Sequence, residues 1–469
     1  MTRDDEGVGD DLQKLPVTKG QVIELMITGH AHDGAGVGKV EGFTVFVPLA
    51  VQGETVRARI TQVKKTYAKA VLEEIVSAHP DRTRPLCPVY EQCGGCQLQH
   101  LSYEMQLKQK RQQVMDHFMR IGGMTDVVIH PVLGMDEPWR YRNKAQVPFG
   151  WINGRAVAGF YASGSHEIVD MESCLIQHSA NDQAVAKVKE LARKLKIPIY
   201  DEVKHRGVLR HVMVRTGYHT GEMMVVLVTN GEHLPHKKEL VRELVDSLPQ
   251  LKSVMQNINT KRTNVVLGEK SRVLWGENVI HDKIGDVVFA ISPHSFFQVN
   301  PVQTKVLYDQ VVRYAQLSGE ETVIDAYCGI GTIALYLAKK ARRVYGVEIV
   351  PQAIQDAKEN AGLNHMNHVH FEVGRAEEVM PRWLREGIRP DVIVVDPPRK
   401  GCGPATLDAA VGMGPERLVY VSCNSATLAR DAKYLKERGY QVTEVQPVDM
   451  FPHTGHVECV ACFVKKEEN

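Results

Sequence analysis

A chain of 469 residues, 43% hydrophobic and 24% charged, has the make-up of a globular protein with two or three cores; a disordered or fibrous chain is excluded. Lysine and arginine (57) nearly cancel aspartate and glutamate (56), so total charge neither marks nor excludes a nucleic-acid partner. The acidic opening "MTRDDEGVGDD" lacks a signal-peptide core and no apolar run could cross a bilayer, so a cytoplasmic chain with no membrane contact is expected. In that compartment, with an odd nine cysteines, structural disulfides are not expected.

Residues 1–13 read as a disordered tail. Over 14–77 short strands alternate with glycines. In "VRARIT" the apolar Val56, Ala58 and Ile60 alternate with Arg57, Arg59 and Thr61, a period of two that fits a small barrel. Arg57, Arg59, Lys64, Lys65 and Lys69 give it a basic strip, either a solvated strand face or an RNA contact.

Next comes "CPVYEQCGGC", residues 87–96. Cys87, Cys93 and Cys96 follow a C-x5-C-x2-C spacing, and Cys174 in "DMESCLIQ" is the one further cysteine before residue 291. Four thiolates suit zinc or an iron–sulfur cluster. Structural zinc sites usually pair two knuckles, whereas here one knuckle joins two lone cysteines. Gly94 and Gly95 leave space and amide donors for a bulkier group. Residues alone leave both open.

A helix is expected over 102–123, ending in a glycine pair. The 78–290 region reads as a central α+β domain, with longer strands such as "RNKAQVPFG" and "VLRHVMVRTG" and a helix at "NDQAVAKVKELARKL". Lys108, Lys110 and Arg111, and the stretch "KHRGVLRHVMVR" (204–215), are candidates for RNA-backbone contacts. From 291 to 469 strand and helix alternate, the pattern of an α/β doubly wound parallel sheet whose ligands sit beyond the carboxyl ends of its strands.

The chemistry is sought in those loops. "DAYCGIGT" places Gly329 and Gly331 at a strand-to-helix turn, where a backbone can approach a ligand. Glu348 ends the next strand, positioned for ribose hydroxyls. Asp396 opens "DPPRKG" directly after "VIVV". Arg399 stands where amino-group methyltransferases often place an aromatic, which argues against exocyclic nitrogen chemistry. No phosphate-type glycine–lysine loop is present, so S-adenosylmethionine fits better than a nucleoside triphosphate, and better than NAD.

Cys423, in "VYVSCN", follows a strand on the same sheet edge. The C5 of uracil is a poor nucleophile, and a thiolate adding to C6 turns it into an enolate carbon. The C5 hydrogen must then leave, which needs a base; Glu458 in "FPHTGHVEC" is the choice, with His453 and His456 shaping the pocket. Taken singly, a packing cysteine and a solvated acid are the blander readings. In "SPHSFFQVNP" Phe296 is placed to face a base, and Gln298 to bind cofactor or pyrimidine.

With "CGGCQLQH", "YRNKAQ", "SFFQVNP", "DAYCGIGT", "DPPRKG", "VSCN" and "FPHTGHVE" in order, the sequence resembles the 23S ribosomal RNA (uracil-C5)-methyltransferases with a TRAM domain, from about residue 14 onward and closest to the Gram-positive enzymes. The resemblance implies an OB-like TRAM barrel that binds RNA, a Rossmann-like class I methyltransferase sheet, Cys423 as nucleophile and Glu458 as base. It implies that Gln298, Tyr327, Glu348 and Asp396 hold S-adenosylmethionine, and that Cys87, Cys93, Cys96 and Cys174 carry a [4Fe–4S] cluster. It also implies 23S rRNA as partner, with no obligate protein partner. The sequence departs from the family at Ser425, where a proline is usual; a looser loop is expected, with the hydroxyl offering a turn-forming bond in exchange. Rival readings are a tRNA uracil-C5 methyltransferase and a non-catalytic RNA-binding or redox-sensing protein.

Overall fold

The computed structural model describes residues 15–31 and 34–466; the tail expected over 1–13 lies outside the described residues. The chain divides into two compact units, residues 1–84 with 97–102, and residues 85–96 with 103–469.

The smaller unit is a closed five-stranded barrel. Its order is Val22–His30, Gly36–Val40, Phe43–Val47, Tyr67–Ser77 and Thr55–Val63, which pairs back to the first strand. The alternation in "VRARIT" is realised: Val56, Ala58 and Ile60 are buried, while Arg57, Arg59 and Thr61 are exposed. A Cβ at Gly38 would lie 2.7 Å from the Met26 carbonyl, so only glycine lets these strands approach. Two of the five residues of the expected basic strip are neutralised. Arg57 pairs with Glu24 and Glu74, and Arg59 with Glu73, whereas Lys64, Lys65 and Lys69 stay exposed and make no ion pair among the described residues. Buried Glu54 accepts two bonds from Arg82, at 2.6 and 2.7 Å, fastening the segment that leaves the barrel.

The larger unit holds an eight-stranded sheet in the order Val369–Val373, Arg343–Glu348, Thr322–Ala326, Val392–Val395, Arg417–Ser422, Glu458–Lys465, Tyr440–Val448 and Val128–Ile129. The first five strands run parallel, and Glu458–Lys465 is antiparallel to both neighbours. Helices cover both faces, so the central strands read as unbroken apolar runs; all four residues of "VIVV" are buried. Helix Tyr103–Arg120, from far upstream, buries Val114 and Phe118 in the core under one face, beside Leu428 of helix Ser425–Lys436.

A second sheet has seven strands, Lys270–Gly276, Leu251–Ile258, Met223–Thr229, Leu209–Thr216, Lys144–Ile152, Arg155–Tyr161 and Ile168–Asp170. Helices Ser179–Lys194 and Lys237–Ser247 cover one face. From the other face Met213, Met224, Val226 and Met255 enter the core that also holds helix Pro301–Ala315 and the Ile280–Ile291 hairpin. The two sheets of this unit therefore share a core.

Three expected RNA contacts are corrected. Lys110 is 1% exposed and meets Asp449 at 2.6 Å, while Arg210 and Arg215 are buried on Leu209–Thr216 with their guanidinium groups on backbone carbonyls. Buried and turned onto partners inside the protein, these three cations do not lie on the surface where an RNA backbone would meet them.

Candidate active site

The carboxyl ends of the parallel strands open into a cavity of about 1260 Å³. Phe296, Gln298, Tyr327, Glu348, Asp396, Cys423 and Glu458 all line it, so the structure brings together the expected nucleophile, base, cofactor and base-facing residues.

Each is placed by a strand end. After Thr322–Ala326 the chain turns through Tyr327 (φ +70°), Gly329 (φ +54°) and Gly331 (φ +85°). A Cβ on Gly331 would meet the Phe371 ring at 2.9 Å, which makes glycine obligatory at this turn. Glu348 closes the next strand; its carboxylate accepts the Gly329 N–H at 3.3 Å and the Val350 N–H at 3.0 Å, which fixes it at the rim. Cys423 leaves Arg417–Ser422 in a loop stitched to "DPPRKG": Asn424 caps the next helix by accepting the Ala426 N–H at 3.1 Å, and donates to the Arg399 carbonyl at 3.1 Å.

Ser425 is the first residue of that helix and is buried. Its hydroxyl does not form the expected turn bond; it meets His117 Nδ1 at 2.8 Å, on helix Tyr103–Arg120. The same helix holds the loop that leads to Glu458. Lys110 donates to Asp449 and to the Phe451 carbonyl, Tyr103 donates to Asp449 at 2.9 Å, and Gln106 accepts the His453 N–H at 3.0 Å. His453 stacks on Trp139 with ring centroids 3.7 Å apart and does not line the cavity; His456 does, its Nε2 lying 3.5 Å from Arg399. Of the two histidines expected to shape the pocket, one does so directly and the other supports the loop.

The electrostatics select for a cation. Burial pushes the Asp396 carboxyl up to about 7. Burial and then Asp396 push Glu458 up to about 8, against the pull of Arg399. Burial, Glu458 and Asp396 push the Cys423 thiol up to about 11, Arg399 again opposing. Asp325 was not singled out from the sequence, yet it is fully buried at the cavity wall, and burial, then Asp396, raises it far above the carboxylate range against the pull of the Ala334 N–H. Its signal was an acid inside an otherwise apolar strand, "TVIDA". Clustered carboxyls of this kind welcome a sulfonium and an ammonium and repel a pyrophosphate.

Cys87, Cys93, Cys96 and Cys174 are all half-buried and belong to the larger unit. Cys93 lies in electrostatic range of Cys87, and Cys174 of Cys93. The Gly95 N–H points at Cys93 Sγ from 3.4 Å, and the N–H groups of Ile176 and Gln177 bond the Cys174 sulfur. Among the described residues, no three His, Cys, Asp or Glu side chains converge as they would on a single metal ion.

Fold and cavity together define a methyltransferase that uses S-adenosylmethionine, and the comparisons fix its kind. Residues 102–466 match the model of the tRNA (Uracil-5-)-methyltransferase family and residues 16–72 match the TRAM domain. The chain belongs to that uracil-5 RNA methyltransferase family, with a TRAM barrel ahead of its catalytic unit. It is 58% identical to an uncharacterised RNA methyltransferase of Halalkalibacterium halodurans (96% of this chain, 98% of that one) and 56% identical to one of Bacillus cereus (95% and 97%). Among solved structures it is similar to the Pyrococcus abyssi tRNA (uracil-54, C5)-methyltransferase in complex with S-adenosyl-L-homocysteine, with a TM-score of 0.75 and 30% identity over 94% of this chain and 100% of that one. No helix among the described residues is long and apolar enough to cross a membrane.

Proposed function

We propose that this chain methylates C5 of uridine in 23S rRNA, in the cytoplasm and without an obligate protein partner, through a covalent adduct on Cys423. The observation that carries the reading is the convergence of a thiol and a buried carboxyl, Cys423 and Glu458, on the cavity that also holds the glycine turn, Glu348 and Asp396.

Gln298, Tyr327, Glu348 and Asp396 hold S-adenosylmethionine, whose sulfonium supplies an electrophilic methyl group and a positive charge that favours the ionised forms of Cys423 and Glu458. Phe296, 66% exposed, faces the incoming base, which must leave its stack to enter. The Cys423 thiolate adds to C6 and the C5=C6 electron pair moves onto the C4 carbonyl. The enolate would return that pair through C5 to the methyl carbon as the methyl–sulfonium bond breaks, its electrons staying on sulfur to leave neutral S-adenosylhomocysteine. Glu458 then takes the C5 proton, the double bond reforms, and the C6–S bond breaks to release the thiolate and 5-methyluridine.

Cys87, Cys93, Cys96 and Cys174 are assigned a [4Fe–4S] cluster of structural role. Cys93 lies in electrostatic range of both Cys87 and Cys174, and the peptide N–H groups at Cys93 and Cys174 suit sulfurs that carry charge, as those of a cluster would. The pairing of this cysteine motif with a TRAM barrel supports rRNA as the target. The tRNA reading has its own support, since the Pyrococcus abyssi enzyme is a tRNA methyltransferase. Methylation of 23S rRNA and tRNA transcripts, read by nucleoside mass spectrometry, separates them: 5-methyluridine is expected in 23S rRNA, and methyl groups on tRNA alone or on cytosine refute the assignment.

A further inference from the structure

The motif "YRNKAQ" has no part in the chemistry above. Along this segment Tyr141, Asn143 and Ala145 are buried, and Arg142, Lys144 and Gln146 alternate with them as half-exposed residues. The Asn143 N–H donates to the Val299 carbonyl at 2.9 Å, and its side-chain amide to the Gln298 carbonyl at 3.2 Å. Arg215 lies directly opposite Lys144 on the neighbouring strand, and its guanidinium donates to the carbonyls of Pro293 and Ser295. Lys144 thus sits between two residues that both grip segment 293–299, whose Phe296 and Gln298 line the active cavity.

The charge here is uncompensated. The groups acting on Lys144 are burial, Arg215 and Arg142, which together pull its ammonium down to about 7; no carboxylate opposes them. Among the described residues neither Arg142 nor Lys144 forms an ion pair, and the Lys144 ammonium donates no hydrogen bond. Arg215 is fully buried, and its Nε is unsatisfied as well. Like charges gathered out of water cost stability, and such an arrangement persists when a ligand offsets it.

We propose that Arg142 and Lys144, in the field of Arg215, form a phosphate site for the substrate strand, seating the phosphodiester of a nucleotide next to the uridine held in the cavity. The proposal rests on the RNA substrate of the family and not on which RNA is modified. A phosphate supplies the missing negative charge, and because Asn143 and Arg215 flank the site and hold segment 293–299, backbone binding there can set the depth to which the flipped base enters.

The test uses the whole protein and a short fluorescent oligouridylate, which is neither 23S rRNA nor tRNA, so its outcome is independent of the target assignment. Lys144→Met keeps length and volume and removes the charge. It is expected to weaken oligouridylate binding roughly fivefold to tenfold and to make the salt dependence shallower by about 0.7 in log–log slope, the share of one single-strand phosphate. The RNA-free protein is expected to melt at the same or a higher temperature, because an unpaired cation has been removed. Arg142→Gln should shift binding the same way, and Lys144→Arg should retain it. Wild-type affinity and slope in Lys144→Met overturn the site, as does a lowered melting temperature, which marks the lysine as structural. Failure of the wild-type protein to bind oligouridylate overturns it too.

Discussion

Cys423 and Glu458 face a conflict that the cavity creates. In the proposed mechanism both must be ionised to act, as nucleophile and as base, yet burial pushes the thiol up to about 11 and the carboxyl up to about 8. The rate of methyl transfer should therefore rise with pH, by roughly tenfold per unit while the ionised fraction is small, and level off above about pH 8 if Glu458 limits. Initial rates at constant ionic strength check this; a rate that falls across that range removes Glu458 from the base role. Stability runs the opposite way. A carboxyl whose folded value lies above its unfolded value keeps its proton longer when folded, so the folded state loses ground as pH rises from the ordinary carboxylate range through 7 and 8. The ligand-free protein should melt lower at alkaline than at mildly acidic pH, and Asp396→Asn should flatten the curve. Glu458→Gln keeps the thiol and removes the base, so a covalent protein–RNA adduct is expected as a slow band in a denaturing gel; its absence with Cys423 intact excludes Glu458 as the base.

At the scale of elements, helix Tyr103–Arg120 clamps the loop before Glu458 through Lys110, Gln106 and Tyr103, and the helix after Cys423 through His117. Proline is accepted at the first position of a helix, where the N–H has no partner to lose, and Asn424 already holds the extended backbone (φ −144°, ψ 98°) that precedes a proline well. Ser425→Pro should therefore stay within about 1 kcal/mol of the native stability, its stiffer unfolded chain offsetting the lost bond to His117, whereas Ser425→Ala should cost about 1 kcal/mol. Denaturant unfolding of the two variants decides it. Strands Thr322–Ala326, Arg343–Glu348 and Val392–Val395 of the catalytic sheet were legible because each apolar run ends in a glycine turn or an acid. The helix clamp was not, because Lys110 in "LKQKRQQ" reads as one more solvated charge and only Asp449, far along the chain, makes it a buried one. Arg215 was misleading for a related reason: a strand buried on both faces, "LRHVMVRT", shows no alternation to say which way a side chain points. Helix Lys237–Ser247 went unread between strands although Leu240 and Leu244 mark its buried face.

At the scale of the molecule, the chain passes from the barrel unit at residue 84 to the larger one, returns at 97, and leaves again at 103. The cysteine segment is the short excursion between, and its Cys93 has Cys174 of the same unit within electrostatic range. If a [4Fe–4S] cluster joins them, anaerobically purified protein should be brown with about four irons per chain, and Cys174→Ser should lose colour, iron and melting temperature together. A colourless protein with stoichiometric zinc refutes the cluster.

The buried pair Lys110–Asp449 joins residues 339 positions apart. During translation the lysine emerges long before its aspartate, and the strand that begins with Glu458 comes later still. With Glu458 as the proposed base, a nascent chain is expected to stay inert toward RNA until that strand has been released, and a polypeptide truncated before it should mark no RNA.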